Sequence, residues 1–98
     1  MEQRKLVTII TESAIESRLL EDFDHLGAKG YTILEARGRG SHGARVADWD
    51  QNQNVQIELI CTDGVASAIV EHCQKVYSDN YALVVYVSDV RVFRPEKF

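Results

Sequence analysis

Val55-Gln56-Ile57-Glu58-Leu59-Ile60-Cys61 is the stretch that decides the fold. Its odd-numbered positions are all apolar. A strand sends alternate side chains to opposite faces, so one face of this strand must be buried. Asp63 follows where a helix would be capped, and Val65, Ile69, Cys73 and Val76 recur at the spacing of one helical face. Residues 81–93 then read as a long final strand. The second half of the chain is a strand-helix-strand unit.

The first half carries the same plan. Leu6-Val7-Thr8-Ile9-Ile10 reads as a strand, and a helix is predicted over residues 14–26, with Ser13 and Glu16 at capping-box spacing. Its apolar stripe is Ile15, Leu19, Phe23 and Leu26, and Gly27 is its natural stop. Residues 31–37 alternate as a second strand. Two tandem units of this kind in 98 residues predict a single domain over residues 1–98. The fold class is α+β: a ferredoxin-like βαββαβ arrangement with a four-stranded antiparallel sheet and two helices on one face.

Both faces of the first and last strands are apolar. Leu83, Val85 and Val87 alternate with Ala82, Val84 and Tyr86, while Leu6 and Ile10 stand opposite Val7 and Ile9 in parity. Two helices cover only one sheet face. Another subunit is the economical cover for the second face, and the alternative is partial cover by the chain's own loops.

The formal net charge of −4 argues against general binding to nucleic acid or a membrane surface. No apolar run approaches the ~20 residues of a membrane span. The polar start Met1-Glu2-Gln3-Arg4-Lys5 does not read as a secretory signal, so a cytoplasmic location is expected. Cys61 and Cys73 have no metal or redox spacing and read as buried free thiols. His25, His42 and His72 are scattered, so no metal site is expected.

Against that acidic background, Gly38-Arg39-Gly40-Ser41-His42-Gly43-Ala44-Arg45 stands out. Three glycines share a window with Arg37, Arg39 and Arg45, and no acid lies between Glu35 and Asp48. Glycine lets successive backbone N–H groups turn toward a phosphate, and arginine adds planar bidentate donors. The bland alternative is a solvated loop. Residues 38–53 are also long for a hairpin connection, a length that usually marks a functional loop. Trp49, in the polar run Asp48-Trp49-Asp50-Gln51-Asn52-Gln53-Asn54, either anchors a partner protein or folds back on its own domain.

The run Gly27-Ala28-Lys29-Gly30-Tyr31-Thr32-Ile33-Leu34-Glu35-Ala36-Arg37-Gly38-Arg39-Gly40 resembles the approach to the T-loop in the PII signal-transduction superfamily. Val55-Gln56-Ile57-Glu58 resembles the strand leaving that loop, and the likeness extends over nearly the whole chain. Within the superfamily the chain is most similar to small PII-like proteins associated with bicarbonate transport and carboxysomes. That narrower resemblance rests on Gly40-Ser41-His42-Gly43-Ala44-Arg45, Asn54-Val55-Gln56-Ile57-Glu58 and Asp79-Asn80-Tyr81-Ala82-Leu83-Val84-Val85-Tyr86.

The resemblance implies a homotrimer that binds adenine nucleotides in clefts between subunits, needs no cofactor, and contacts a target protein through a T-loop at residues 38–53. The implied target is a transporter or a carboxysome-related protein, and bicarbonate is the implied second ligand. Thr32, Gly38, Glu58 and Ile60 would surround adenine and ribose. Gly40, Ser41, His42 and Arg45 would hold phosphate, Ala82 would close the pocket, and Arg94 in the tail (residues 91–98) would reach in toward an adjoining subunit. On residue type alone, Thr32 and Glu58 are ordinary strand residues, Ile60 is core, and Arg91, Arg94 and Lys97 are a solvated basic tail.

The chain also departs from the family. Better-known PII proteins carry a Thr-Gly, then Gly-Asp-Gly-Lys, phosphate loop where this chain has Tyr77-Ser78-Asp79-Asn80-Tyr81. AMP, ADP or cyclic AMP is therefore expected ahead of ATP. Residues 38–53 hold no tyrosine, which removes the basis for tyrosine uridylylation, and Arg94-Pro95-Glu96-Lys97-Phe98 lacks the cysteines of a redox loop. Two other classes are weighed: a structural trimer of the divalent-cation-tolerance type, and a nucleotide-phosphate hydrolase. The Gly/Arg run disfavours the first. Against the second, no His–carboxylate pair, nucleophile elbow or metal–carboxylate cluster stands out. His42 beside Ser41 is the only candidate acid–base pair, and adjacent residues rarely face each other productively.

Overall fold

The strand Glu2–Glu12 (β1) is the axis of the sheet, hydrogen-bonded along both of its edges. The structure is a computed structural model and describes residues 1–38 and 54–98. After β1 come a 3-10 turn (Ser13–Ile15), α1 (Glu16–Leu26), β2 (Thr32–Ala36), β3 (Asn54–Cys61), α2 (Asp63–Val76), β4 (Leu83–Val92) and a last 3-10 turn (Pro95–Lys97). The strand order is β2-β3-β1-β4 and every neighbouring pair is antiparallel. This is the ferredoxin-like arrangement expected from the two repeated units.

Parity governs the core. The odd positions Val7, Ile9 and Thr11 of β1 and Val55, Ile57, Leu59 and Cys61 of β3 are buried together with Ile15, Leu19 and Phe23 from the first helical unit and Ala66, Ile69 and Cys73 from α2. Both thiols are free. Burial pushes the Cys61 thiol up, and pushes Cys73 up to about 11, with nearby Asp22 adding to that shift. Among the described residues no helix is long and apolar enough to cross a membrane.

Helix starts differ from expectation. The Ser13/Glu16 capping box does not form, because Ser13–Ile15 tighten into the 3-10 turn and α1 begins only at Glu16, without a side-chain cap. At α2 the cap is Thr62, whose Oγ1 accepts the Val65 N–H at 3.4 Å, and Asp63 is the first helical residue. A carboxylate there still complements the helix dipole. Val76, expected to point inward, is 42 % exposed. The chain leaves the helix at that point, and Tyr77 is buried in its place. Residues 77–81 are then taken up by a turn in which Asn80 and Tyr81 N–H both bond the Tyr77 carbonyl at 3.1 Å, so β4 starts later than residue 81.

Gly27 ends α1 as expected, with φ 96° in the left-handed region, and the Ala28 N–H bonds the Phe23 carbonyl at 3.0 Å. A Cβ there would meet Val65 Cγ2 at an ordinary 3.6 Å, so only the backbone resists substitution. Gly27→Ala should therefore cost about 1 kcal/mol in denaturant unfolding. Gly30→Ala, where a Cβ meets nothing within 4 Å, should be close to neutral in the same measurement.

Candidate functional site

With odd positions in the core, the even positions of β1 and β3 face away from the helices. The register lines them up in rows. Thr32, Glu58, Thr8 and Tyr86 form one row; Leu34, Gln56, Ile10 and Val84 form the next; Ile60, Leu6 and Ser88 lie on the other side. Thr32, Glu58 and Ile60 thus share one sheet face. Glu58 is half-buried and accepts a hydrogen bond from Gln56 Nε2 at 3.1 Å. Around it, Leu34, Val84 and Tyr86 are 46 %, 47 % and 48 % exposed. No helix of the described chain covers this apolar face.

One end of the sheet carries the base of the long β2–β3 connection. Ala36 pairs with Asn54, and Asn54 pairs with Glu12. Gly38 stands two residues beyond β2 and is exposed. Ala82, just before β4, lies at this same end: its N–H donates to Glu12 Oε2 at 2.7 Å, and its carbonyl accepts from Thr11 Oγ1 at 2.7 Å. Thr11 is fully buried, so its hydroxyl needs that acceptor. Gly40, Ser41, His42, Arg45 and Trp49 lie outside the described residues.

Arg94 is at the opposite end. It follows β4, whose Val92 pairs with Glu2 at the start of β1. Its guanidinium sits 5.9 Å from the Phe93 ring, and Arg4 Nη2 ties the following Pro95 carbonyl at 3.1 Å. The ten residues of β4, at roughly 3.3 Å each, hold Ala82 and Arg94 about 30 Å apart. Within one chain these two cannot touch one small ligand.

The sequence pattern of the family described as nitrogen regulatory protein P-II matches residues 4–97. The chain belongs to that P-II family. A PII-like signalling protein from Thermus thermophilus is 48 % identical over 98 % of this chain and 95 % of its own, with a TM-score of 0.83. The PII-like protein CPII from Thiomonas intermedia, bound to ADP and bicarbonate, is 30 % identical over 99 % of this chain and 95 % of its own (TM-score 0.83). The same protein bound to ADP, AMP and acetate matches at 28 % identity over 98 % and 94 %, with a TM-score of 0.84. The resemblance read from the residues is borne out, including its bicarbonate-associated branch.

This P-II domain also holds a polar cluster that sequence reasoning missed. Between the helices, Tyr77 Oη donates to Asp22 Oδ2, and His72 Nε2 lies 2.9 Å from the same oxygen. Arg18 lies over the Tyr77 ring, 5.2 Å from its centroid, and donates to Tyr81 Oη at 3.2 Å. The His72 and Tyr81 rings meet Tyr77 edge-on at 5.8 and 6.1 Å. The expectation of no His–carboxylate pair is thereby corrected: a 50-residue separation hid this one. The only local signal was Arg18 and Asp22 one turn apart beside Leu19. These groups satisfy one another on the helix side of the sheet, away from Thr32, Glu58 and Ile60. Among the described residues no group of His, Cys, Asp and Glu could hold a metal ion.

Burial, then the bond to Asp22, pushes the Tyr77 phenol up to about 12 from its usual 10. A raised acid favours its neutral form, so this contribution is complete below the unfolded value and is lost as pH rises through the folded one. Unfolding free energy of the parent should therefore fall between pH 10 and 12 more steeply than that of Tyr77→Phe. Near neutral pH, Tyr77→Phe should cost about 1.5 kcal/mol. Urea unfolding of both proteins across that pH range checks both statements.

Proposed function

We propose that this chain is a non-enzymatic PII-like sensor: a homotrimer that binds AMP, ADP or cyclic AMP, and ATP less well, in clefts between subunits. Bicarbonate is its second ligand, and the sensor serves inorganic-carbon metabolism in the cytoplasm. Residues 38–53 act as the T-loop and signal to a target protein, a transporter or carboxysome-related partner. The observation that carries this reading is the similarity, over 99 % of the chain, to CPII with ADP and bicarbonate bound.

Physical features support the parts. The open face with Leu34, Val84 and Tyr86 calls for a subunit to cover it. The separation of Ala82 from Arg94 suits a cleft shared by two chains, one giving Ala82 and the loop base, the other Arg94. Thr32, Gly38, Glu58 and Ile60 are assigned to adenine and ribose, and Gly40, Ser41, His42 and Arg45 to phosphate. Among the described residues the hydrolase reading has one His–carboxylate pair to draw on, His72 and Asp22, and Tyr77 already occupies that carboxylate.

Titration calorimetry with AMP, ADP, ATP and cyclic AMP, with and without bicarbonate, tests the sensor directly. Binding by none of them, or turnover of ATP or ADP by pure protein, would overturn it. Light scattering should give a trimer for the parent. Val84→Arg, which buries an unpaired charge in the interface, should shift it toward smaller species. Arg45→Ala should weaken AMP and ADP binding by roughly ten- to a hundredfold, the worth of one charge-assisted contact. Arg45→Lys should recover part of that, since the charge survives and the bidentate fork does not. Undiminished binding by Arg45→Ala would remove Arg45 from the phosphate site.

A further inference from the structure

The row that closes the loop end of the sheet runs Ala36, Asn54 and Glu12, with Ala82 beyond. Glu12 carries the one ionisable side chain among these four residues. It shares the parity of Thr8 and Ile10, so its side chain belongs to the open face, and it is half-buried. Its Oε2 sits 2.7 Å from the Ala82 nitrogen. A free backbone N–H at the approach to a strand is a seat for an anion. Here the chain's own carboxylate fills the seat, while Thr11 fixes the carbonyl of the same residue.

The consequence depends on what arrives. A nucleoside brings no charge to this end of the sheet. A monophosphate can be held from the Gly38 side, across the row from Ala82. A longer phosphate chain that runs from there toward β4 meets the like charge of half-buried Glu12 and finds the Ala82 donor already engaged. Because the carboxylate is locked by a short charge-assisted bond and neighbours the buried Thr11, it cannot swing away at no cost.

We infer that Glu12 is the specificity-determining residue of the cleft. Its carboxylate, seated on the Ala82 N–H at the loop end of the sheet, discriminates against polyphosphate chains and in favour of AMP and ADP. The inference rests on the adenine-nucleotide reading above and names the group that ranks the ligands. It also gives a structural reason for the expected order of affinities, independent of the missing glycine run.

The test is titration of the full-length protein and Glu12→Gln with adenosine, AMP, ADP and ATP. Glutamine keeps the length and an oxygen that accepts the same N–H, and removes only the charge. Adenosine affinity should stay within about twofold, while the affinity for ATP relative to AMP should rise about tenfold, with ADP between. The gap between parent and variant should narrow as salt is raised. Glu12→Ala, which also frees the N–H, should favour ATP at least as strongly and serves if the glutamine variant folds poorly. An unchanged ladder of affinities, or an equal loss for all four ligands, would make Glu12 a structural staple and overturn the inference. A parent that binds none of the four overturns the cleft reading itself; a parent that binds them with a ladder indifferent to Glu12 overturns this inference alone.

Discussion

A central strand with two different apolar faces is the constraint on which everything else depends. β1 is paired on both edges, so its backbone is satisfied and only its side chains remain to be placed. Val7 and Ile9 go under the helices and leave Leu6 and Ile10 on the far side. Thr11 shares the face of Val7 and Ile9 and is buried there, and a buried hydroxyl must find a partner. Thr11 finds the Ala82 carbonyl, which fixes where the chain enters β4. The same strand thus sets the core, the open face and the geometry of the loop end.

The large features were legible because they follow from periodicity. The odd apolar positions 55 to 61 dictated which face of β3 is buried, and register then carried Thr32, Glu58 and Ile60 onto the other face together. Gly27 was legible because few residues but glycine take its backbone angle without strain. The caps were not, since Ser13 and Glu16, or Thr62 and Asp63, are nearby candidates that only tertiary packing separates. Val76 and Tyr77 exchange roles for a similar reason: the stripe continues past the point where the helix has ended. The Asp22 cluster depends on contacts between residues 50 and 55 positions apart, which no local pattern announces.

The position of Arg94 shows what a residue-by-residue reading leaves open. The family resemblance implies that it reaches into a ligand cleft, and the strand geometry puts it about a full sheet length from Ala82. Both statements hold together only if the cleft belongs to two chains. The open apolar face makes the same demand from burial alone. Two unrelated constraints, one of distance and one of exposed surface, therefore converge on self-association.

The turn over residues 77–82 is where this chain differs most in kind from the phosphate loops it resembles by position. A glycine-rich loop holds a phosphate by leaving its backbone donors free and its conformation adaptable. Here the turn is stapled at both ends. Arg18 holds Tyr81 through its hydroxyl on the helix side, and Tyr77 beneath it is locked to Asp22. Glu12 and Thr11 hold Ala82 on the strand side. Backbone carbonyls take the N–H groups of Ser78, Asn80 and Tyr81, and the Glu12 carboxylate takes that of Ala82, so these donors are engaged before any polyphosphate arrives. In the sequence, glycines and arginines are concentrated instead just after Gly38, which stands at the loop end of the same sheet. A site fed from one side suits a short phosphate better than a long one.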